Sequence, residues 1–180
     1  MMSKKVLIIS TSPRKNGNSA KLAEEFRRGA SESGNEAELV SLHDKTISFC
    51  RGCFACLKTH RCVIHDDADT IREKMLHADV IVFATPIYYY EMSGQMKTML
   101  DRANPLYSSD YAFRDIYMLS TAAENEESVP ERAVSGLEGW IACFGKARLA
   151  GTLFCGGVND IGDISENPKL KEAYHMGKSV

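Results

Sequence analysis

The sequence has no charge imbalance, no long apolar run and no internal repeat, and each absence removes a class of function. Lysine and arginine number 22 against 24 aspartates and glutamates, for a formal net charge of -2. The two signs are spread among each other, so no basic face or polybasic tail is available to hold nucleic acid or anionic lipid. No apolar stretch approaches the roughly 20 residues of a membrane helix. Lys4-Lys5 leads straight into a short strand without the apolar core of a signal peptide. The expectation is a cytoplasmic protein with no nucleic-acid and no membrane partner. The chain also lacks G-x-x-x-x-G-K-[ST] and lacks G-x-G-x-x-G followed by an acid, so neither a nucleoside triphosphate cradle nor a dinucleotide fingerprint is present. The loop after the first apolar run contains no cysteine, which removes a thiolate nucleophile in an anion cradle. No aspartate pair follows that run, and Val80–Ala84 leads into Thr85 rather than an acid, which disfavours a phospho-acceptor domain. His43, His60, His65, His77 and His175 are scattered, no catalytic triad or carboxylate pair is visible, and no side chain is assigned a catalytic role.

What is present is a regular alternation. At 180 residues and 44% hydrophobic, the chain suits one well-buried core, a single domain over 1–180 with a cysteine-rich loop insertion at about 47–65. Val6–Ile9, Glu38–Leu42, Val80–Ala84, Ile116–Ser120 and Thr152–Cys155 read as strands, the third stopping at Pro86. Between and after them, apolar residues recur with helical period: Leu22, Ala23, Phe26 and Ala30; Ala68, Ile71 and Met75; Met96, Met99, Leu100 and Ala103; Ala133, Leu137, Trp140, Ile141 and Phe144; Leu170, Ala173 and Tyr174. Asp66-Asp67 and Ser93 are expected to cap the second and third of these helices. Five β-α units imply an α/β fold, a doubly wound five-stranded parallel sheet of order 2-1-3-4-5 with helices on both faces. Ligands of such sheets bind at the carboxyl ends of strands 1 and 3, where the winding reverses.

The loop Ser10-Thr11-Ser12-Pro13-Arg14-Lys15-Asn16-Gly17-Asn18-Ser19 joins the first strand to the first helix. Its hydroxyls, amides, guanidinium and glycine sit where free backbone N–H groups and the positive end of the helix dipole favour an anion. The alternative is an ordinary turn capped by Asn16, Asn18 or Ser19. The 2-1-3-4-5 order places this loop beside Pro86–Ser93, with Thr121–Asn125 as a third side, and a flat aromatic ligand carrying one phosphate fits there. Tyr88, Tyr89 and Tyr90 have a second reading as subunit-interface residues.

Four of the six cysteines cluster at Cys50, Cys53, Cys56 and Cys62. In a reducing compartment these are metal-binding, redox-active or simply buried rather than a disulfide framework. Spacings of two let three thiolates converge from one short loop, and a fourth completes a set that suits [4Fe–4S] or zinc. Arg51, Lys58, His60 and Arg61 would help keep the thiolates ionised. A loop of reduced or partly oxidised thiols without metal is the third alternative. Cys143 and Cys155 read as small core residues of a helix and a strand.

Three segments resemble the NADPH-dependent FMN reductase family of the flavodoxin-like superfamily: S-P-R-K-N-G-N-S, P-I-Y-Y-Y-E-M-S-G-Q-M-K-T-M-L-D-R and G-G-V-N-D-I-G-D-I. Within that family, C-R-G-C-F-A-C-L-K-T-H-R-C-V-I-H-D-D resembles the iron–sulfur flavoproteins. The resemblance implies FMN as cofactor, its phosphate held by Ser10, Ser12, Arg14, Asn18 and Ser19. The isoalloxazine would be bordered by Pro86, Ile87, Tyr88 and Tyr89 and closed on its other edge by Thr121, Ala122 and Glu124. It implies hydride transfer from NAD(P)H to flavin N5 and onward transfer to a small-molecule or protein acceptor, in a homodimer or homotetramer. It also implies a [4Fe–4S] cluster on Cys50, Cys53, Cys56 and Cys62. Two other functions stay open: an iron–sulfur electron-transfer carrier, and a metal- or redox-sensing module built on the cysteine loop. The chain departs from flavodoxin proper in the arginine of its first loop, and from some quinone reductases in lacking a glycine pair after the fourth strand.

Overall fold

Val6 and Ile8 point to one side of their strand and Leu7 and Ile9 to the other, and all four are buried. A strand covered on both faces needs helices on both sides, and the computed structural model, which describes residues 3–180, has that arrangement. Residues 1 and 2 of the expected domain lie outside the described residues. In chain order the elements are β1 (Lys5–Ser10), α1 (Asn18–Glu32), β2 (Glu36–Ser41), α2 (Cys56–Thr59), α3 (Asp67–His77), β3 (Val80–Tyr88), β4 (Glu91–Met92) and α4 (Gly94–Arg102). A 3-10 turn (Asn104–Ser108), β5 (Asp115–Thr121), α5 (Glu131–Ile141), β6 (Arg148–Cys155) and α6 (Lys169–Lys178) complete the chain.

Five strands run parallel in the spatial order β2-β1-β3-β5-β6, which is the expected 2-1-3-4-5 winding of an α/β sheet. The count of five needs correction, because β4 adds a sixth strand, two residues long and antiparallel to β3. Tyr89 and Tyr90 make it possible by taking positive φ values of 50° and 67°, a tight turn that pairs Tyr88 with Glu91 and Ile87 with Met92. The third strand also outruns its expected stop at Pro86. The β1 ladder ends at Ala84, so the missing proline N–H deprives no partner on that side, while Pro86 still stands opposite Thr121 of β5.

Two apolar layers sandwich the sheet. On one side Leu22, Ala23, Phe26 and Ala30 of α1 and Ala173 of α6 cover Val6, Ile8, Val80 and Val82. On the other, Ala68, Ile71 and Met75 of α3, Met96, Met99 and Leu100 of α4, and Ala133, Leu137 and Ile141 of α5 cover Leu7, Ile9, Ile81 and Phe83. Asp66 and Ser93 cap α3 and α4 as expected, accepting from Ala68 N and Met96 N. No helix among the described residues is long and apolar enough to cross a membrane.

Candidate functional site

The carboxyl end of the sheet is fastened by three buried hydroxyls. Thr11 N donates to Ala84 O at 2.8 Å, which brings the chain leaving β1 alongside β3. Thr11 Oγ1 lies 2.9 Å from Ser93 Oγ, Ser93 Oγ donates to Thr11 O at 3.2 Å, and Ser93 N donates to Thr85 Oγ1 at 3.0 Å. Ser93 Oγ also accepts from Met96 N at 3.3 Å. Ser93 thus caps α4 and binds the first loop to β3 with a single side chain. Ser93→Ala leaves these groups unpaired in a buried place and is expected to cost about 1–3 kcal/mol, read as a lowered urea midpoint at unchanged m-value.

Above this clamp the amino end of α1 is open. Its N-cap is Gly17, at φ −62°, with no capping side chain, so Asn16, Asn18 and Ser19 do not act as caps. The hydroxyls of Ser10 and Ser19 are buried and lack a hydrogen-bond partner among the described residues. A Cβ on Gly17 would stand 2.4 Å from Ser12 Oγ and fill the concavity. Bare N–H groups, an unpartnered hydroxyl and room for an acceptor form an anion cradle, and the residues fit a phosphate. The Ser12 hydroxyl accepts from Arg14 N at 3.1 Å and orders the loop. Arg14 and Asn18 also hold the segment after β6: Arg14 Nη1 donates to Asn159 O at 2.7 Å, and Asn18 Nδ2 donates to Asp160 O at 2.9 Å.

The cradle opens into a cavity of about 350 Å³. Ser12, Arg14, Asn18 and Ser19 form one wall, Pro86, Ile87, Tyr88 and Tyr89 a second, and Thr121, Ala122 and Glu124 a third. Eleven of the twelve residues named from sequence for the flavin therefore line one space. Ser10 does not, because it is buried on the α1 side of β1. Gly17, Tyr90 and Ala123, which fall within the three segments expected from sequence but are not among the individually named contacts, line the cavity as well, and so do Val158 and Asn159, which the sequence does not assign to it. Tyr90 also has a reading from sequence as an interface residue, and Arg132 stands 5.8 Å over its ring. Val158 and Asn159 were signalled by the glycines before them: a Cβ on Gly156 would stand 2.5 Å from Glu124 O, so only glycine lets this segment lie against the β5 loop.

The cysteine loop joins β2 to α3, and its ends are locked together. Ser48 N donates to Asp66 Oδ2 at 2.8 Å and Thr46 N to Asp67 Oδ2 at 2.7 Å. Arg102, with no exposed side-chain surface, donates to Asp66 Oδ2 at 2.7 Å, to Ser48 O at 2.8 Å and to Ile64 O at 2.9 Å. Burial opposes ionisation of Asp66, but Arg102 and the N–H groups of Ser48 and Ala68 outweigh it and hold its pKa down to about 2. For Arg102, burial opposes the charge while Asp66 and the Cys62 sulfur favour it, and the net shift is upward.

Cys50, Cys53, Cys56 and Cys62 line a second cavity of about 650 Å³, together with Trp140 and Phe144. Three of the sulfurs accept N–H donors: Cys50 from Gly52 N at 3.4 Å, Cys62 from Ile64 N at 3.5 Å, and Cys56 from Asn104 Nδ2 at 3.0 Å. In chemistry the donor set fits a metal–thiolate centre, which such N–H bonds stabilise. Among the described residues, however, no three potential ligands stand at metal-binding distance. Cys155 is buried in β6 as expected, and burial pushes its thiol pKa up. Cys143 corrects its expectation, since it is exposed beyond the end of α5 and lines the cysteine cavity.

The chain is similar to an iron–sulfur flavoprotein of Methanocaldococcus jannaschii, 42% identical over 102 residues that cover 57% of this chain and 53% of that protein, so the chain spans about half the length of that relative. A second iron–sulfur flavoprotein, from Methanosarcina thermophila, is 28% identical over 173 residues, 96% of this chain and 87% of the relative. Among solved structures, an NAD(P)H:quinone oxidoreductase from Methanothermobacter marburgensis superposes with a TM-score of 0.77 at 20% identity, covering 99% of this chain and 96% of the other, a likeness of fold. The model of one family spans the first loop, the cysteine loop and the hairpin wall, matching residues 4–144, and the chain belongs to that family, the NADPH-dependent FMN reductases.

Proposed function

We propose that this protein binds FMN in the cavity at the carboxyl end of the sheet and uses it as an NAD(P)H-dependent oxidoreductase. The observation that carries the reading is the buried, unpartnered Ser19 hydroxyl at the uncapped start of α1, opening into a cavity whose far wall is Pro86 to Tyr89. The N–H groups of α1, the hydroxyls of Ser12 and Ser19 and the remaining donors of Arg14 would hold the phosphate without a competing carboxylate. Pro86, Ile87 and Tyr88 would border the flat ring on one side and Thr121, Ala122 and Glu124 on the other. FMN, when bound, supplies the hydride-accepting and electron-donating chemistry. The protein's part is to bind, to orient and to leave room: Tyr88 is 41% exposed and Tyr89 98%, so the tyrosine side is open enough to admit a nicotinamide and then an acceptor in turn. Homodimer or homotetramer assembly, proposed with this reading, would cover Tyr89, and light scattering reads it directly.

Titrating the chain with FMN, then mixing the complex anaerobically with NADPH or NADH, tests the reading. One FMN per chain and rapid bleaching of the flavin band by either nucleotide are expected, and failure to bind FMN overturns it. Arg14→Ala should weaken FMN about tenfold, the range for one hydrogen bond to a charged group. Unchanged affinity removes Arg14 from the phosphate site.

A second reading, an iron–sulfur flavoprotein carrying electrons between partners, is favoured by the N–H donors on the sulfurs of Cys50, Cys56 and Cys62. Iron in anaerobically purified protein, with a flavin that bleaches only in the presence of a reduced protein partner, supports the carrier. Bleaching by NAD(P)H alone supports the enzyme.

A further inference from the structure

The flavin reading leaves one buried charge unexplained. Arg102 is 1% exposed and lines the cysteine cavity, and while its two Nη groups are used, its Nε has no hydrogen-bond partner among the described residues. An unpaired N–H on a buried guanidinium is costly and calls for an acceptor in the space it faces. Cys62 is close enough to favour the guanidinium charge. Two residues along, Asn104 donates to Cys56 Sγ at 3.0 Å. The same stretch of chain thus addresses two of the four clustered sulfurs and, through Ser48 O and Ile64 O, both ends of the loop that carries them.

We propose that Arg102 and Asn104, at the end of α4 and the start of the 3-10 turn, are the positioning residues of the cysteine site. Arg102 pins both ends of the 47–65 loop and sets its guanidinium within reach of the Cys62 sulfur, and Asn104 orients the Cys56 sulfur. The inference rests on reading the four cysteines as a metal–thiolate ligand set. Its physical basis is preorganisation. Fixing a loop before the metal arrives removes ordering entropy from the binding step, and N–H donors to thiolates stabilise their charge and fix their direction. Because α4 is capped by Ser93, under the flavin cavity, and ends at Arg102, one helix of nine residues sets both sites.

Cobalt(II) is the probe, added anaerobically to the reduced full chain and followed by its sulfur-to-metal charge-transfer absorption. Tryptic cleavage after Arg51, Lys58 and Arg61 reports the order of the loop, with FMN affinity and circular dichroism as controls of the fold. Arg102→Met should weaken cobalt 10- to 100-fold, the range for residues that support metal ligands. It should also speed cleavage about tenfold while leaving FMN affinity within about twofold. Arg102→Lys should recover only part, because an ammonium does not reproduce the guanidinium fork across three acceptors. Asn104→Leu should weaken cobalt about tenfold without faster cleavage and shift the absorption to lower energy, a spectral change that lost packing does not produce. Wild-type affinity and spectrum in Asn104→Leu, or wild-type cleavage in a folded Arg102→Met, overturns the proposal. If Arg102→Met does not fold, Asn104→Leu decides. Should the wild-type chain take up no cobalt, the metal reading of the cysteines fails by itself. Cleavage of Arg102→Met then still decides whether Arg102 holds the loop.

Discussion

Gly177→Ala is expected to lower stability by about 3 kcal/mol or more, although alanine is the better helix former by about 1 kcal/mol. A Cβ at Gly177 would stand 2.0 Å from Phe26 O and 2.8 Å from Phe26 C, and one at Gly29 would stand 2.0 Å from Tyr174 O. Those neighbours are backbone, so no rotamer change relieves the overlap and α1 and α6 must separate. Separation loosens Ala173 from Phe26 and Ala30, and breaks the Ser33 Oγ bond to Lys178 O at 2.7 Å. At roughly 2–4 °C per kcal/mol for a chain of this size, the melting temperature should fall by about 6–12 °C. Gly139→Ala is the control. It lies in α5 with nothing within 4 Å of its Cβ, so alanine there should stabilise by about 0.5–1 kcal/mol. Two glycine-to-alanine changes in helices, with opposite signs, test whether backbone contact rather than propensity governs the α1–α6 crossing. Equal effects would refute it.

Those glycines illustrate what a sequence conceals. The strands were legible because Val80–Ala84 and Val6–Ile9 are covered on both faces and therefore apolar at every position. The cavity walls were legible because strand order alone brings the loops after β1, β3 and β5 together. β4 was not, since its turn places two tyrosines at positive φ where asparagine or glycine would have announced a hairpin. Residues of this kind rarely adopt that conformation, and the strain sits at the rim of the cavity. Arg102 was hidden for a related reason. Arginine is almost never fully buried unless paired, and its partners Asp66, Ser48 and Ile64 lie 36 to 54 positions away. The place of Cys143 is not legible because an apolar period through Trp140 and Phe144 suggests a core position, whereas α5 ends at Ile141 and releases the thiol into the cysteine cavity.

Asp66→Ala is expected to cost about 3–5 kcal/mol at neutral pH, comparable to the larger effects known for breaking one side of a buried ion pair. The carboxylate meets three demands at once: Oδ2 accepts from Arg102 and Ser48 N, and Oδ1 accepts from Ala68 N as the cap of α3. Its removal leaves the Arg102 charge buried without a counter-ion. The pH dependence follows from the carboxyl pKa, lowered from 3.8 to about 2 in the folded protein. The native state releases this proton more readily than the unfolded chain, so the contribution is present above about pH 4. It fades as the pH falls through 2, when the folded form also takes up the proton. Nearly two pKa units correspond to about 2–3 kcal/mol. Asp66→Asn keeps an acceptor for Ala68 N but removes the charge. Urea midpoints of the FMN-free chain from pH 7 to pH 2 should therefore show the wild type well above Asp66→Asn at pH 7 and the two converging near pH 2. A gap that stays constant across that range would mean that hydrogen-bond geometry, and not the charge pair with Arg102, locks the cysteine loop to α4.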